Sequence, residues 1–163
     1  MEENKRIGLA LSGGGIKGIA HIGVMKALEE LDIRPNIISG VSAGAIIGCL
    51  FAAGLDADSV KKFVDQTKFG KAFFPGFTTK GLLKHDFLKA RLKEYLSFEH
   101  IEDLPIPFKV ACTNLNTGRI EVFDEGPIIP AVAASSAIPV LFSPEKIGDN
   151  LYSDGGVLMN LPA

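Results

Sequence analysis

A chain of 163 residues, 47% of them hydrophobic, is long enough to bury one core and too short for two comfortable ones. With 22% charged residues and a net charge of −2, it has neither the composition of a disordered chain nor the basic field that nucleic acid demands. Cys49 and Cys112 lie far apart in apolar surroundings, which suits buried, reduced thiols in a cytoplasmic protein better than a disulfide framework.

The charged opening from Met1 to Arg6 does not read as a secretory signal. Ile7 to Leu11 predicts a short buried strand, ending at Ser12-Gly13-Gly14-Gly15. Ile19, Ile22, Val24, Met25, Leu28 and Leu31 then fall at helical spacing, with Lys26, Glu29 and Glu30 on the wet side. Arg34-Pro35 breaks the chain, and Ile37-Ile38 leads into Val41 as a second strand. Ala43 to Ala53 predicts a helix buried on most sides and stopped by Gly54. The uncharged stretch from Pro35 to Leu55 mimics a membrane span in length, but its glycines and serines fit a strand–turn–helix without lipid.

Asp58 is expected to cap a helix running to about Lys68. From Phe69 to Gly81 the phenylalanines 69, 73, 74 and 77 mix with glycine, lysine and Pro75. That segment reads as an irregular loop or cap, serving either as a satellite core or as an acyl-chain pocket or membrane-touching lip. An amphipathic helix is expected from about Lys84 to Leu96. Phe108 to Leu115 predicts a strand, Asn116-Thr117-Gly118 a turn, and Arg119 to Phe123 its hairpin partner. Pro127 at a first helical position starts a helix to about Ala137, ended by Pro139. Leu151-Tyr152 forms a short last strand before Asp154-Gly155-Gly156. With no repeats and no linker, residues 1–163 read as a single α/β domain. Its abrupt stop at Leu161-Pro162-Ala163 suggests that C-terminal elements are lacking.

Three places carry chemistry. Gly40-Val41-Ser42-Ala43-Gly44, after a buried strand and before a helix, has the spacing of a nucleophile elbow, in which a strained turn exposes the serine hydroxyl. The bland alternative is a glycine-rich turn at a strand end. Gly13-Gly14-Gly15-Ile16-Lys17-Gly18 frees successive backbone N–H groups to face an anion. That block suits either the oxyanion hole of an acyl hydrolase or, through Gly13, Gly15 and Gly18, a dinucleotide pyrophosphate. The dinucleotide reading wants an acidic residue at the end of the second strand. Asp32 comes before that strand, which delivers Ser42 instead, and Gly18 after Lys17 spoils a phosphate loop. The hydrolase reading uses both glycine motifs; the nucleotide reading uses one.

A histidine would be the first choice to activate Ser42, yet His21, His85 and His100 all precede the acidic block, and none follows Asp154. Asp154 is the better base, because at a dry strand end in direct contact with the hydroxyl it needs no relay. Its competing reading is an ordinary Asp-Gly turn. No spacing of histidines and carboxylates implies a metal.

Taken together, the glycine block Gly13 to Gly18, the elbow Gly40 to Gly44, Ala134-Ser135-Ser136-Ala137-Ile138-Pro139 and Asp154-Gly155-Gly156 resemble the patatin-like phospholipase family, in particular its small bacterial members. The resemblance spans nearly the whole chain. It implies a three-layer α/β/α fold around a mostly parallel sheet and a Ser–Asp dyad, here Ser42 and Asp154, with no cofactor. It also implies an oxyanion hole from the glycine block, with Gly14 and Gly15 as donors and Lys17 at a position that is basic in the family. The implied substrates are lipid esters such as phospholipids or lysophospholipids, reached by a soluble protein with peripheral membrane contact. A catalytically silent relative that binds lipid or a protein partner is the remaining alternative.

Overall fold

A computed structural model of the chain describes residues 6–67 and 85–163. Strands β1 (Gly8–Leu11), β2 (Ile37–Gly40) and β3 (Phe108–Asn114) run parallel, with Leu11 beside Gly40 and Gly40 beside Val110. At β3 the direction changes. Both β4 (Arg119–Phe123) and β6 (Asn150–Asp154) pair with it antiparallel, and β5 (Glu145–Ile147) pairs with β6. The expected β3–β4 hairpin is present, and Asn114 Oδ1 holds its turn by accepting from the amides of Asn116 and Thr117 at 2.9 and 3.1 Å. Sequence reading missed β5, since three residues are too few for a period of two to show.

Burial alternates along the strands as the pleat requires: Ile38 is fully buried while Ile37 beside it is 36% exposed. Helix α2 (Ala43–Ala52) lies on the Ile38 side, where Leu11, Ile38 and Phe108 crowd against Gly48. All ten of its residues are buried, which is why its sequence shows no wet face. Helix α5 (Ile128–Ser135) packs beside α2 and over β3, β5 and β6. Outside them lie α1 (Ala20–Glu30), α3 (Ala57–Thr67) and α4 (Asp86–Tyr95), each turning an apolar stripe inward: Ile22 and Met25, Val60 and Phe63, Leu88 and Leu92.

The expected α/β fold is therefore observed, with a mixed sheet. Of the two helical layers expected around it, the described residues supply the one over Leu11, Ile38 and Phe108. On the opposite face, Ile37, Ser39, Lys109 and Val122 border an open groove of about 480 Å³ that also holds Met159, Pro162 and Ala163.

Several boundaries differ from expectation for local reasons. A 3-10 turn, Gly15–Ile19, precedes α1. Asp56, not Asp58, caps α3: its Oδ1 accepts the Ser59 amide at 2.8 Å, while Asp58 already lies inside the first turn and pairs with Lys26 at 3.1 Å. Pro127 sits just before α5 with an extended ψ of 122°, and the helix stops at Ser135 rather than Ala137. The last strand runs on through Asp154 itself. The Phe69 to Gly81 segment lies outside the described residues. Cys49 and Cys112 are free and buried, and burial pushes both thiols well above their ordinary pKa. No helix among the described residues is long and apolar enough to cross a membrane.

Candidate active site

Where β2 ends, the Val41 amide still donates to the Leu11 carbonyl at 3.1 Å, and one residue later the chain reverses into α2. Ser42 makes that reversal at φ 53° and ψ −122°, a region few side chains adopt. The tightness of the turn explains the flanking glycines. A Cβ on Gly44 would lie 2.2 Å from the Leu11 carbonyl oxygen, and one on Gly40 would lie 2.6 Å from that of Gly44. Helix α5 braces the elbow, since the Ser42 amide donates to Ser135 Oγ at 3.0 Å and Ser135 Oγ donates to the Ala111 carbonyl at 2.8 Å.

Asp154 reaches the same point from the other side of β3. Its place in register opposite Cys112 is fixed by its amide donating to the Ala137 carbonyl and by its carbonyl accepting from Thr113 Oγ1, both at 2.9 Å. Its two carboxylate oxygens divide the work: Oδ1 accepts the Gly156 amide at 2.7 Å, and Oδ2 accepts the Ser42 hydroxyl at 2.6 Å. The Asp-Gly turn and the contact with serine thus coexist on one side chain. Gly155 allows the close approach, since a Cβ there would lie 2.2 Å from the Ala111 carbonyl oxygen.

Ser42 is 4% exposed and Asp154 6%, so the pair is nearly dry. Burial pushes the Asp154 carboxyl above its ordinary pKa, against the opposing hydrogen bonds from Ser42 and Gly156 and the attraction of His85. A carboxylate made costly by burial is a stronger base than one in water.

The glycine block splits into distinct roles. Gly13 presses close to Ser42, but its amide donates to the Asn160 carbonyl at 3.0 Å and so is already engaged. The amides of Gly14 and Gly15 make no hydrogen bond among the described residues. The Lys17 amide returns to the Gly14 carbonyl at 3.1 Å, and its side chain is exposed. Gly18 serves packing, because a Cβ on it would stand 2.5 Å from that of Ala43. Of the five block residues expected at the oxyanion site, Gly14 and Gly15 are the ones with amides to offer.

None of the histidines touches the Ser42 hydroxyl. His21 Nε2 lies 2.9 Å from the Ser12 carbonyl, His100 is exposed, and His85 is buried against the Ser136 carbonyl. Asp32 ends up in the turn after α1 at φ 52°, away from the end of β2, which leaves the dinucleotide reading without its carboxylate. Among the described residues no group of three or more His, Cys, Asp or Glu is arranged to hold a metal ion. Sequence reasoning assigned no role to Ser135, which braces the elbow, or to Asn160, whose carbonyl occupies the Gly13 amide. Ser135 lies in the Ala134–Pro139 motif, but the motif does not say what its hydroxyl holds, and Asn160 carries no local signal, because both roles arise from contacts across more than 90 positions.

A family model described as patatin-like phospholipase matches residues 9–163. An uncharacterized NTE family protein of Mycobacterium tuberculosis is 36% identical over 160 residues, covering 96% of this chain and 44% of the relative. Lysophospholipase NTE1 of Coccidioides immitis is 37% identical over 169 residues, covering 96% of this chain and 10% of the relative. The chain therefore spans less than half the length of either. Among solved structures, VipD of Legionella pneumophila superposes with a TM-score of 0.69 at 19% identity, over 97% of this chain and 47% of that one. ExoU of Pseudomonas aeruginosa, in complex with SpcU, superposes at 0.59 and 18% identity, over 83% and 39%. At such identities these two likenesses concern the fold.

Proposed function

Because the chain belongs to the patatin-like phospholipase family, we propose that it is a serine acyl hydrolase acting on lipid esters, with Ser42 as nucleophile and Asp154 as its base. The observation that carries this reading is the 2.6 Å hydrogen bond from the Ser42 hydroxyl to Asp154 Oδ2 in a nearly dry setting.

Ser42 Oγ attacks the ester carbonyl carbon while its proton passes to Asp154 Oδ2. The carbonyl oxygen becomes an oxyanion facing the amides of Gly14 and Gly15, where each well-placed donor contributes about 3–4 kcal/mol to the transition state. The ester C–O bond then breaks, and the departing alcohol takes the proton from Asp154. Water repeats the attack on the acyl-serine, again delivering a proton to Asp154, and that proton returns to Ser42 as the carboxylic acid leaves.

Exposed apolar side chains within or next to each motif in sequence support an apolar acyl group. Ile16 lies within the glycine block, Val140 follows the Ala134–Pro139 block, and Val157 and Leu158 follow Asp154-Gly155-Gly156; all four are at least 47% exposed. The lysophospholipase name of the NTE1 relatives makes phospholipids and lysophospholipids the first substrates to try, with peripheral contact at a membrane surface.

A fluorophosphonate probe should label the wild type and not Ser42→Ala. Asp154→Asn should lower turnover of a short p-nitrophenyl ester at least ~10³-fold at unchanged circular dichroism. Full activity in Asp154→Asn overturns the assignment of the base. A folded wild type that turns over no ester of any acyl length favours a silent lipid- or protein-binding role instead.

A further inference from the structure

We propose that His85, at the start of α4, is a positioning residue of the Ser42–Asp154 dyad, acting through the Ser136–Ile138 turn. The inference rests on the hydrolase reading above and goes beyond it.

His85 is 3% exposed, too deep for a chance surface position. Its ring stacks on Phe142 with centroids 4.1 Å apart and planes 19° from parallel. Nε2 lies 3.1 Å from the Ser136 carbonyl oxygen, so Nε2 carries a proton and donates it. Nδ1 faces Glu145 Oε1 at 3.5 Å, a contact too poorly directed to count as a hydrogen bond. The other Glu145 oxygen accepts Lys89 Nζ at 2.6 Å. Burial works to raise the Glu145 carboxyl, yet His85 and Lys89 together hold it below its ordinary pKa.

The turn that His85 grips touches both members of the dyad. The Ala137 carbonyl accepts the Asp154 amide at 2.9 Å and the Ser153 hydroxyl at 2.8 Å. Ser136 Oγ approaches the Ser42 carbonyl at 3.4 Å while donating to Val132 at 2.8 Å. A rotation of this turn by a fraction of an ångström moves Asp154 Oδ2 relative to Ser42 Oγ, and catalysis is steep in such displacements.

There is an electrostatic arm as well. Asp154 accepts from the Ser42 hydroxyl and the Gly156 amide, stands in register with Cys112 of β3, and feels the attraction of His85. Facing His85 are Glu145 of β5, itself paired with Lys89 of α4, and the Ser136 carbonyl. Two acceptors confront the two ring nitrogens, and a neutral ring has one N–H to give. The attraction of His85 holds the Asp154 carboxyl below the level to which burial alone would push it.

The test compares His85→Gln with His85→Phe, which keeps the stack but has no donor. The expected result in both is a kcat at least tenfold lower with KM within twofold of wild type, and an acid limb of the kcat/KM profile displaced to higher pH. A carbon-13 titration of Asp154 should show the same upward displacement, and it reads the inference even if the wild type proves to turn over no ester. A nitrogen-15 spectrum of the wild-type ring should show the proton on Nε2, which covers the case in which neither variant folds. Wild-type kcat with an unmoved limb, an unmoved Asp154 titration, or a ring protonated on Nδ1 alone overturns the proposal. An inactive wild type with a displaced Asp154 titration would sink the hydrolase reading and leave this one standing.

Discussion

At Ser42 the backbone stands at φ 53° and ψ −122°, a conformation that costs on the order of 1–3 kcal/mol and persists because its surroundings impose it. They do so through the Val41 amide on Leu11, the Ser42 amide on Ser135, and glycine at both flanks. Asp154 is a second local cost. Burial lifts its carboxyl above the unfolded value, so stability from this group is fully present below the unfolded pKa and is lost as pH rises through the folded one. Asp154→Asn is isosteric and uncharged. It should therefore melt at or above the wild-type temperature at pH 7, with an advantage that shrinks as the pH is lowered into the carboxyl range. Calorimetry across pH 4 to 8 checks this, and a variant that is less stable at pH 7 but matches the wild type in acid would reverse the sign.

Helix α2 shows what an element contributes to a site. It is apolar on every side because it lies between the sheet and the outer helices, and that rigid seat is what holds the serine turn. Leu50, fully buried on it, should cost about 2–5 kcal/mol on replacement by alanine, read as a lower urea midpoint with unchanged slope. The bracing by α5 is of another kind, because one hydroxyl, Ser135 Oγ, links the elbow to β3 at Ala111. Patterning predicted α2 and the β3–β4 hairpin well because their signals are local: an uninterrupted apolar run and an Asn-Thr-Gly turn between strand-like segments. It missed β5 and misplaced the α3 cap by two residues, since a three-residue strand has no period and two aspartates near one helix start look alike in sequence.

At the scale of the molecule, the described residues cover the two faces of the sheet unequally. Helices α2 and α5 cover the face of Leu11, Ile38 and Phe108, and the other face leaves Ile37 and Val122 36% and 46% exposed along the open groove. Adjacent residues of one strand should therefore respond very differently. Ile38→Ala is expected to lose about 2–5 kcal/mol, and Ile37→Ala no more than about 1. Equal losses in urea unfolding would mean that the second face is packed in solution.

The sequence by itself determined the local chemistry: an elbow at Gly40 to Gly44, a glycine block that frees amides, an Asp-Gly-Gly strand end and a helix with no wet side. These follow from spacing and side-chain type over a few residues, which is where such signals are strong. Only the tertiary structure decided that Oδ2 of Asp154 meets Ser42 across 112 positions, that Asn160 occupies the Gly13 amide and that His85 stands behind the Ser136 turn. Contacts of that reach depend on β3 carrying partners of both directions, and no stretch of sequence a few residues long encodes that placement.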